Sequence, residues 1–155
     1  MGRRNQLSTP DRGRIELALL AVGALAVAIA SRGACAEEPV VLPPIDVVDT
    51  AKHEVIARIK AGSRSNGVLA HPDGKRVFVT SGGKGTVQVI DTATNTIVQE
   101  IPVGRRPWNM ALTPDGRKLY VACGRSNAVA VIDTATYKKI AEIPVGELPW
   151  GVAIN

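Results

Sequence analysis

Apolar and polar residues alternate with a period of two through much of the chain. Lys118–Ala122 (KLYVA) and Ala128–Ile132 (AVAVI) are short runs of β-forming residues. Turn-forming residues separate such runs, as in Pro114-Asp115-Gly116, where proline fixes φ, aspartate bonds its own backbone and glycine takes positive φ. A period of two with frequent turns predicts short antiparallel strands and not helices.

This pattern recurs along the chain as a repeat. A D-T-A triplet begins at Asp49, Asp91 and Asp133, which stand 42 residues apart. The sequences I-P-V-G, P-W and P-D-G recur with the same spacing, and 12 of 23 residues are identical between 91–113 and 133–155. Repeats of this length bury their apolar faces against neighbouring copies. Because the three aspartates recur with the repeat, we interpret them as turn stabilisers and not as catalytic acids.

Four strands fit into each 42-residue unit. The predicted fold class is all-β, a β-propeller built of four-stranded antiparallel blades, since helical repeats of this length would not tolerate so many Gly and Pro residues. The predicted strands of the two full blades are 67–71, 76–80, 86–91 and 97–101, then 109–113, 118–122, 128–133 and 139–143. The predicted propeller spans 45–155, with two strands in 45–60, blades at 67–102 and 109–144, and the first strand of another blade at 151–155.

The number of repeats is too small for a closed ring. About 2.6 repeats are present, whereas propellers close with about 4–8 blades. We therefore expect an incomplete, open propeller. A fragment of a longer product is favoured, because repeat arrays normally end in atypical caps and this sequence stops within a repeat. The alternative is that several copies assemble into one ring.

The N-terminal segment has the organisation of a signal peptide. Arginines precede an apolar run of 14 residues, and an A-x-A site follows, so we predict cleavage between Ala36 and Glu37 and loss of residues 1–36. Residues 37–44 are then an extended, proline-containing linker. The protein is expected in the periplasm or outside the cell, with no membrane span after cleavage. A retained N-terminal anchor, twin-arginine export and lipidation of the nearby cysteine are the alternatives.

Charge and composition narrow the partners. The formal net charge is +5, but the predicted signal peptide alone contributes +3, so no nucleic-acid partner is expected.

Aromatic residues make up only 3% of the chain, and the core must therefore come from Val, Ile, Leu and Ala. Cys123 is the single cysteine left after cleavage, so it cannot form an intramolecular disulfide, and we expect it to be buried in packing.

Two segments resemble a known family. RVFVTSGG at 76–83 and KLYVACG at 118–124, each with P-D-G before and V-I-D-T-A after, resemble the YVTN β-propeller repeat. The resemblance covers about 45–155 and implies a bacterial or archaeal extracytoplasmic propeller, commonly with seven blades. It implies little about activity, because members are described as surface-layer, periplasmic-binding or quinoprotein-associated proteins, and related lactonase-like propellers are enzymes.

The loops between second and third strands, and those from an outer strand to the next inner strand, share one end of the blades, which we name the loop face. Its candidate ligand- or partner-binding residues are Arg64, Lys84, Arg105, Arg106, Trp108, Arg125 and Trp150, with Ser65, Asn66 and Glu147 beside them. The set is net basic, which predicts an acidic protein partner or an anionic ligand; a solvated charged rim is the competing interpretation. Arg105 and Arg106 are the strongest candidates because the repeats differ there. Trp108 and Trp150 recur, which favours packing between blades.

No catalytic or metal-binding set is recognisable, and no cofactor or metal is expected. His53 and His71 fall in predicted turns without a second ligand at metal-binding spacing, and we interpret both as surface residues. Gly82–Thr86 superficially resembles a phosphate loop, but it lacks the G-x-x-x-x-G-K-[ST] order and joins two strands, so we interpret it as a turn.

These observations favour an exported, non-catalytic β-propeller scaffold that binds a protein partner or small ligand through its loop face. One alternative is a fragment of a propeller enzyme, either a lactonase-like hydrolase or a quinoprotein dehydrogenase-associated subunit, whose catalytic residues lie in missing blades. A surface-layer or adhesion module is the second alternative.

Overall fold

The computed structural model describes residues 44–155, which form three antiparallel sheets. The two-stranded sheet contains β1 (Ile45–Asp49) and β2 (Glu54–Ile59). The first four-stranded sheet contains β3 (Ser65–Ala70), β4 (Arg76–Ser81), β5 (Thr86–Asp91) and β6 (Thr96–Pro102). The second contains β7 (Pro107–Leu112), β8 (Lys118–Cys123), β9 (Ala128–Asp133) and β10 (Lys138–Pro144), with a turn of 3₁₀ helix at Gly124–Ser126. No helix in this part of the chain is long and apolar enough to cross a membrane.

The predicted all-β class and four-stranded antiparallel blades are confirmed. Each sheet orders its strands as they occur in sequence, so every hydrogen-bonded pair is a hairpin. The observed strands of both blades begin and end within two residues of the predicted ones. The innermost strands β3 and β7 begin earlier than predicted. Ser65 already pairs with Ser81, and Pro107 with Cys123, and in each strand a register shift separates this first pair from the continuous ladder.

Residues 151–155, predicted as the first strand of another blade, form no strand in the structure. The segment still lies beside β7, since a Cβ at Gly151 would be 3.9 Å from the Cβ of Asn109. It therefore has the place of an inner strand, but no second strand in the described chain supplies its ladder hydrogen bonds. The predicted signal peptide at 1–36 and the predicted linker, apart from Pro44, lie outside the described residues.

The P-D-G turns form as their residue types predict. Asp115 Oδ1 accepts the Arg117 N–H at 3.0 Å, and Gly116 has a φ of 72°. In the preceding blade Asp73 accepts a backbone N–H in the same way, and Gly74 has a φ of 68°. Both glycines therefore occupy the left-handed region that residues with a Cβ rarely adopt.

The D-T-A turns are held by their aspartates. Asp133 Oδ1 accepts the N–H groups of Ala135 at 3.1 Å and Thr136 at 2.7 Å. The hydrogen bonds from Thr136 come first among the causes that lower the pKa of Asp133, because they stabilise its charged form. Asp49 and Asp91 accept equivalent backbone hydrogen bonds. The interpretation of these three residues as turn stabilisers is confirmed.

The main hydrophobic core lies between the two four-stranded sheets. Its buried members are Phe78, Val87, Val89, Ile101, Val103, Met110, Leu119, Val121, Cys123, Ala130 and Ile132. A smaller core of Ile59, Val79 and Ile90 lies between the two-stranded sheet and the first four-stranded sheet. Phe78 and its neighbour Val79 thus face opposite sides of one blade, as the period of two requires. Each large side chain buried in this way contributes about 1.5–3 kcal/mol.

Cys123 belongs to the main core and is 1% exposed. Burial raises the pKa of its thiol to about 11, since the thiolate loses its hydration there. The expectation of a packed, buried cysteine is confirmed.

One hydroxyl links neighbouring blades directly. Thr80 Oγ1 donates to the Trp108 carbonyl oxygen at 2.9 Å and accepts the Gly67 N–H at 2.8 Å. The Thr80 side chain is wholly buried. Gly67 permits the contact, because a Cβ there would lie 2.6 Å from the Trp108 carbonyl oxygen. The inner strand of one blade and that of the next therefore share a single hydrogen-bonding group.

The interpretation of His71 as a surface residue is wrong. Its side chain is 10% exposed, and Nε2 lies 3.1 Å from the Gly116 carbonyl oxygen of the next blade. Arg76, which contacts the same ring at 3.1 Å, donates to the Thr134 carbonyl oxygen at 2.7 Å. His71 is partly buried because the P-D-G turn of the following blade covers its ring. His53, at the edge of the two-stranded sheet, is exposed as expected.

Candidate anion-binding groove

The loops at the loop face are fastened to each other by backbone hydrogen bonds. The N–H groups of Gly82 and Gly83 donate to the carbonyl oxygens of Arg64 and Ser63, both at 2.9 Å. Arg64 has a φ of 58°, which is uncommon for a residue with a Cβ. This backbone geometry holds the loop after β4 against the loop that leads into β3.

The next blade repeats this arrangement with more charge. The Gly124 and Arg125 N–H groups donate to the carbonyl oxygens of Arg106 and Arg105, at 3.0 and 3.1 Å. Arg106 has a φ of 56°, matching Arg64 one repeat earlier. Three arginines are therefore fixed at the backbone within one loop pair.

Glycines allow the loops of the first blade to approach closely. A Cβ at Gly83 would lie 1.8 Å from Ser63 Oγ, and one at Gly85 would lie 2.6 Å from the Gly104 carbonyl oxygen. Gly85 also has a φ of 73°. The interpretation of Gly82–Thr86 as a turn is confirmed, and its glycines form a wall made largely of backbone.

An open groove with a volume of about 450 Å³ lies between these loops. Its lining residues are Arg64, Gly82, Gly83, Lys84, Gly85, Pro102, Gly104, Arg105, Arg106 and Arg125. All five basic residues among the seven candidates named from the sequence therefore meet in one place. Neither tryptophan lines the groove.

The positive charge of Lys84 is compensated. Its ammonium donates to Glu100 Oε1 at 2.9 Å, and Gln88 Nε2 donates to the same oxygen at 2.6 Å. The hydrogen bond from Lys84, followed by that from Gln88, lowers the pKa of Glu100, because both stabilise its carboxylate. Gln88 Oε1 accepts the Gly62 N–H at 3.2 Å, so this network also anchors the loop before β3.

Sequence reasoning missed Gln88, although a signal was present. It is 1% exposed, and its equivalent one repeat later is Ala130. A buried amide at a position where the next repeat has a methyl group needs partners, because an unsatisfied buried polar group costs about 1–3 kcal/mol. That difference between repeats indicates a blade-specific polar network.

The four groove arginines are uncompensated. Within residues 44–155, no ion pair involves Arg64, Arg105, Arg106 or Arg125. Guanidinium groups stay protonated at any ordinary pH. With Lys84 paired to Glu100, the groove has an excess of four positive charges. A concave surface of this kind attracts anions and accelerates their encounter.

The two tryptophans pack against each other beside the groove. The Trp108 and Trp150 rings stack with centroids 4.5 Å apart and an interplanar angle of 20°. The Arg106 guanidinium lies 4.6 Å from the Trp108 ring centroid. Gly124 leaves room for this ring, because a Cβ there would lie 2.7 Å from Trp108 Nε1. The contact joins successive repeats, as the packing interpretation expects, although 68% of Trp150 is exposed.

The remaining loop-face residues are structural or peripheral. Ser65 Oγ donates to the Gly62 carbonyl oxygen at 3.0 Å, and Asn66 Nδ2 donates to the Arg64 carbonyl oxygen at 3.0 Å. Glu147 is exposed and does not line the groove. Among residues 44–155, no group of three or more His, Cys, Asp or Glu side chains could hold a metal ion.

No protein-family model matches the chain, and neither does any curated protein. Among solved structures, Kuenenia stuttgartiensis hydrazine synthase matches with a TM-score of 0.67 and 27% identity, over 70% of this chain and 32% of that chain. Apo AztD from Citrobacter koseri matches with a TM-score of 0.61 and 23% identity, over 71% and 31% of the two chains. Dihydro-heme d1 dehydrogenase NirN matches with a TM-score of 0.61 and 23% identity, over 77% and 27%.

The chain thus spans about a third of the length of these structures or less. All three are β-propeller-type proteins. The likeness agrees with the strand order and the blade-to-blade core described above. The chain is built of β-propeller blades.

Proposed function

We propose that this protein is an exported, non-catalytic β-propeller scaffold that binds an anionic ligand or an acidic protein partner through its loop face. The observation that supports this most directly is the convergence of four uncompensated arginines on one groove. Their charges repel each other in the free protein, and a bound anion relieves that repulsion. Surface arginines without this purpose are normally spread out or paired with acidic residues.

Binding to poly-L-glutamate, an acidic polypeptide probe, tests the proposal. The double variant Arg105→Glu/Arg106→Glu should weaken binding by at least about tenfold, equivalent to about 1.4 kcal/mol. The double variant Arg117→Glu/Lys118→Glu is the matched control, since it changes the net charge equally and both side chains are exposed beside a P-D-G turn, away from the groove. It should change the affinity less than about twofold, because surface charges beyond about 10 Å are screened at 0.1 M salt. Equal losses in both variants would show that overall charge, and not the groove, governs binding.

The proposal includes export to the periplasm or the medium. It is supported by the arginine-rich start, the apolar run and the A-x-A site within residues 1–36. N-terminal sequencing of the protein recovered outside the cytoplasm of a bacterial host should give Glu37 as the first residue. A sequence that begins at Met1 would contradict cleavage.

We also propose that the repeat is of the YVTN type. The support is the pair RVFVTSGG and KLYVACG, each between P-D-G and V-I-D-T-A. The transcript beyond Asn155 should then encode further P-D-G and D-T-A segments at 42-residue spacing. Unrelated sequence or an immediate stop codon would contradict a longer array.

An enzyme is the second candidate, because two of the matching structures carry the names of enzymes, hydrazine synthase and dihydro-heme d1 dehydrogenase NirN. In that case these blades form part of a larger catalytic protein. The same transcript separates the candidates. Further blades with His, Asp, Asn or Glu on several inner-strand loops favour an enzyme, because catalytic sites are built from such residues brought together.

A further inference from the structure

We infer that the groove binds a compact phosphate-type polyanion, with a diphosphate as its simplest form. The inference rests on the function proposed above and narrows its ligand class. It follows from the size of the groove, the separate loops that carry its arginines, the backbone wall and the position of Glu100.

Size favours a small ligand over a protein surface. The groove volume of about 450 Å³ falls within the range of about 300–1,000 Å³ typical of small-molecule sites. A stable protein interface buries about 800 Å² on each partner, whereas the four arginines here all line a single groove. A compact ligand seated in the groove can therefore contact residues from each of its loops at once.

The arginines belong to three separate loops. Arg64 precedes β3, Arg105 and Arg106 precede β7, and Arg125 follows β8. A carboxylate has two coplanar oxygens, which one guanidinium fork satisfies. A phosphate group offers oxygens in a tetrahedral arrangement, and a diphosphate offers two such groups. Donors that converge from different loops are therefore better matched by phosphate oxygens.

The wall of the groove suits close approach by a charged oxygen. Gly82–Gly85 contributes three glycines, so backbone and not side-chain carbon faces much of the cavity. Arg106 is restrained, since its guanidinium packs 4.6 Å from the Trp108 ring centroid. A guanidinium already held in place loses less side-chain entropy on binding than a mobile one.

Glu100 limits the strength of the site. Its Oε1 accepts the Lys84 ammonium at 2.9 Å, so a fifth cation at the groove is withheld from the ligand. Glu100→Gln removes this competing charge and releases Lys84 toward the groove. The substitution should therefore tighten binding of a polyanion, which a site of purely structural arginines would not do.

Isothermal titration of the full-length chain with inorganic pyrophosphate tests the inference. Arg64→Gln, Arg105→Gln and Arg125→Gln should each weaken binding about tenfold, because each removes a charge-assisted hydrogen bond. Arg117→Gln should remain within about twofold of the parent protein. Citrate, a tricarboxylate probe, should bind at least about tenfold more weakly than pyrophosphate. Equal or tighter citrate binding would overturn the phosphate assignment.

Variants that replace a glutamate with glutamine provide a second, independent measurement. Glu100→Gln should tighten pyrophosphate binding by about threefold or more, as expected when one opposing charge is removed near the site. Glu54→Gln is the matched control, because Glu54 is an exposed residue of β2 and its substitution changes the net charge equally. Identical affinities for the two variants would place the ligand outside the groove.

An ADP titration separates the two sources of a diphosphate. ADP affinity similar to that of pyrophosphate indicates a diphosphate carried on a larger molecule, and much weaker ADP binding indicates free pyrophosphate. If pyrophosphate does not bind while poly-L-glutamate binding still depends on Arg105 and Arg106, the inference fails and the proposed function stands. If the binding of neither probe depends on Arg105 and Arg106, the inference and the proposed function both fail.

Discussion

Replacing Thr80 with valine should destabilise the contact between the two blades. The substitution preserves the shape of the side chain and removes one hydroxyl, which joins the Gly67 N–H at 2.8 Å to the Trp108 carbonyl oxygen at 2.9 Å. Both hydrogen bonds are lost together. The change therefore measures what this hydroxyl, with one hydrogen bond inside its own blade and one to the next blade, contributes to the free energy of unfolding.

The expected loss in the free energy of unfolding follows from the burial of the two groups that the hydroxyl contacts. Gly67 is buried, and its N–H loses its acceptor, at a cost of about 1–3 kcal/mol. The carbonyl of Trp108 is on a partly exposed residue, so water can replace the hydroxyl there, at a cost of about 0.5–1 kcal/mol. The additional methyl group of valine recovers at most about 0.8 kcal/mol. The net loss is about 2 kcal/mol, which lowers Tm by roughly 8 °C or more in a domain of this size.

Urea denaturation followed by circular dichroism gives the loss directly. The midpoint should fall and the slope m should stay constant, because the area exposed on unfolding does not change. Thr80→Ser is the control, since it retains both hydrogen bonds and loses one methyl group, at a cost of about 1 kcal/mol. A Thr80→Val protein as stable as the parent, or less affected than Thr80→Ser, would refute the reasoning.

Three further outcomes are expected. Gly83→Ala should destabilise the loop face by about 1–3 kcal/mol through collision with Ser63, while Gly146→Ala, where a Cβ meets nothing within 4 Å, should leave the urea midpoint unchanged. Cys123 should react with iodoacetamide at pH 8 only after unfolding, because burial raises its pKa to about 11; rapid labelling of the folded protein would contradict this. Backbone and side-chain hydrogen bonds from Thr94 lower the pKa of Asp91 in the folded protein. The stabilising effect of its carboxylate is therefore present above the pKa of the unfolded chain, about 4, and is lost as the pH falls through the lower pKa of the folded protein. Asp91→Asn should flatten the fall of Tm below about pH 4, and an unchanged slope would argue against this turn as a source of acid sensitivity.

The sequence was sufficient for most of the strand positions, because each strand depends on local alternation and on its own turns. Asp115 and Gly116 define their turn by residue type alone. Because the sequence repeats after 42 residues, the strand boundaries of one blade also predict those of the neighbouring blade. The segment 151–155 has the same pattern but forms no strand, since a strand needs a hydrogen-bonded neighbour as well as the right residues.

Contacts between blades were harder to predict, because they join residues far apart in sequence. His71 meets the Gly116 carbonyl oxygen 45 residues later, and nothing in its own turn indicates burial. The loop-face arginines could be assigned to one end of the blades from topology. Their convergence on one groove, and the exclusion of Trp108 from it, depend on the left-handed backbone at Arg106 and on the space left by Gly124.

The hairpin order of the sheets has a consequence for how such a protein evolves. In the two four-stranded sheets, no backbone ladder crosses from one 42-residue unit to the next, so duplication or loss of a unit in the gene leaves every sheet intact. Each new copy brings apolar faces for both neighbours. At the loop face, positions 105 and 125 are joined through backbone atoms, so their side chains can diverge without breaking that hydrogen bond. Unequal recombination can then lengthen the array while point mutations at these loops give each blade a different surface charge.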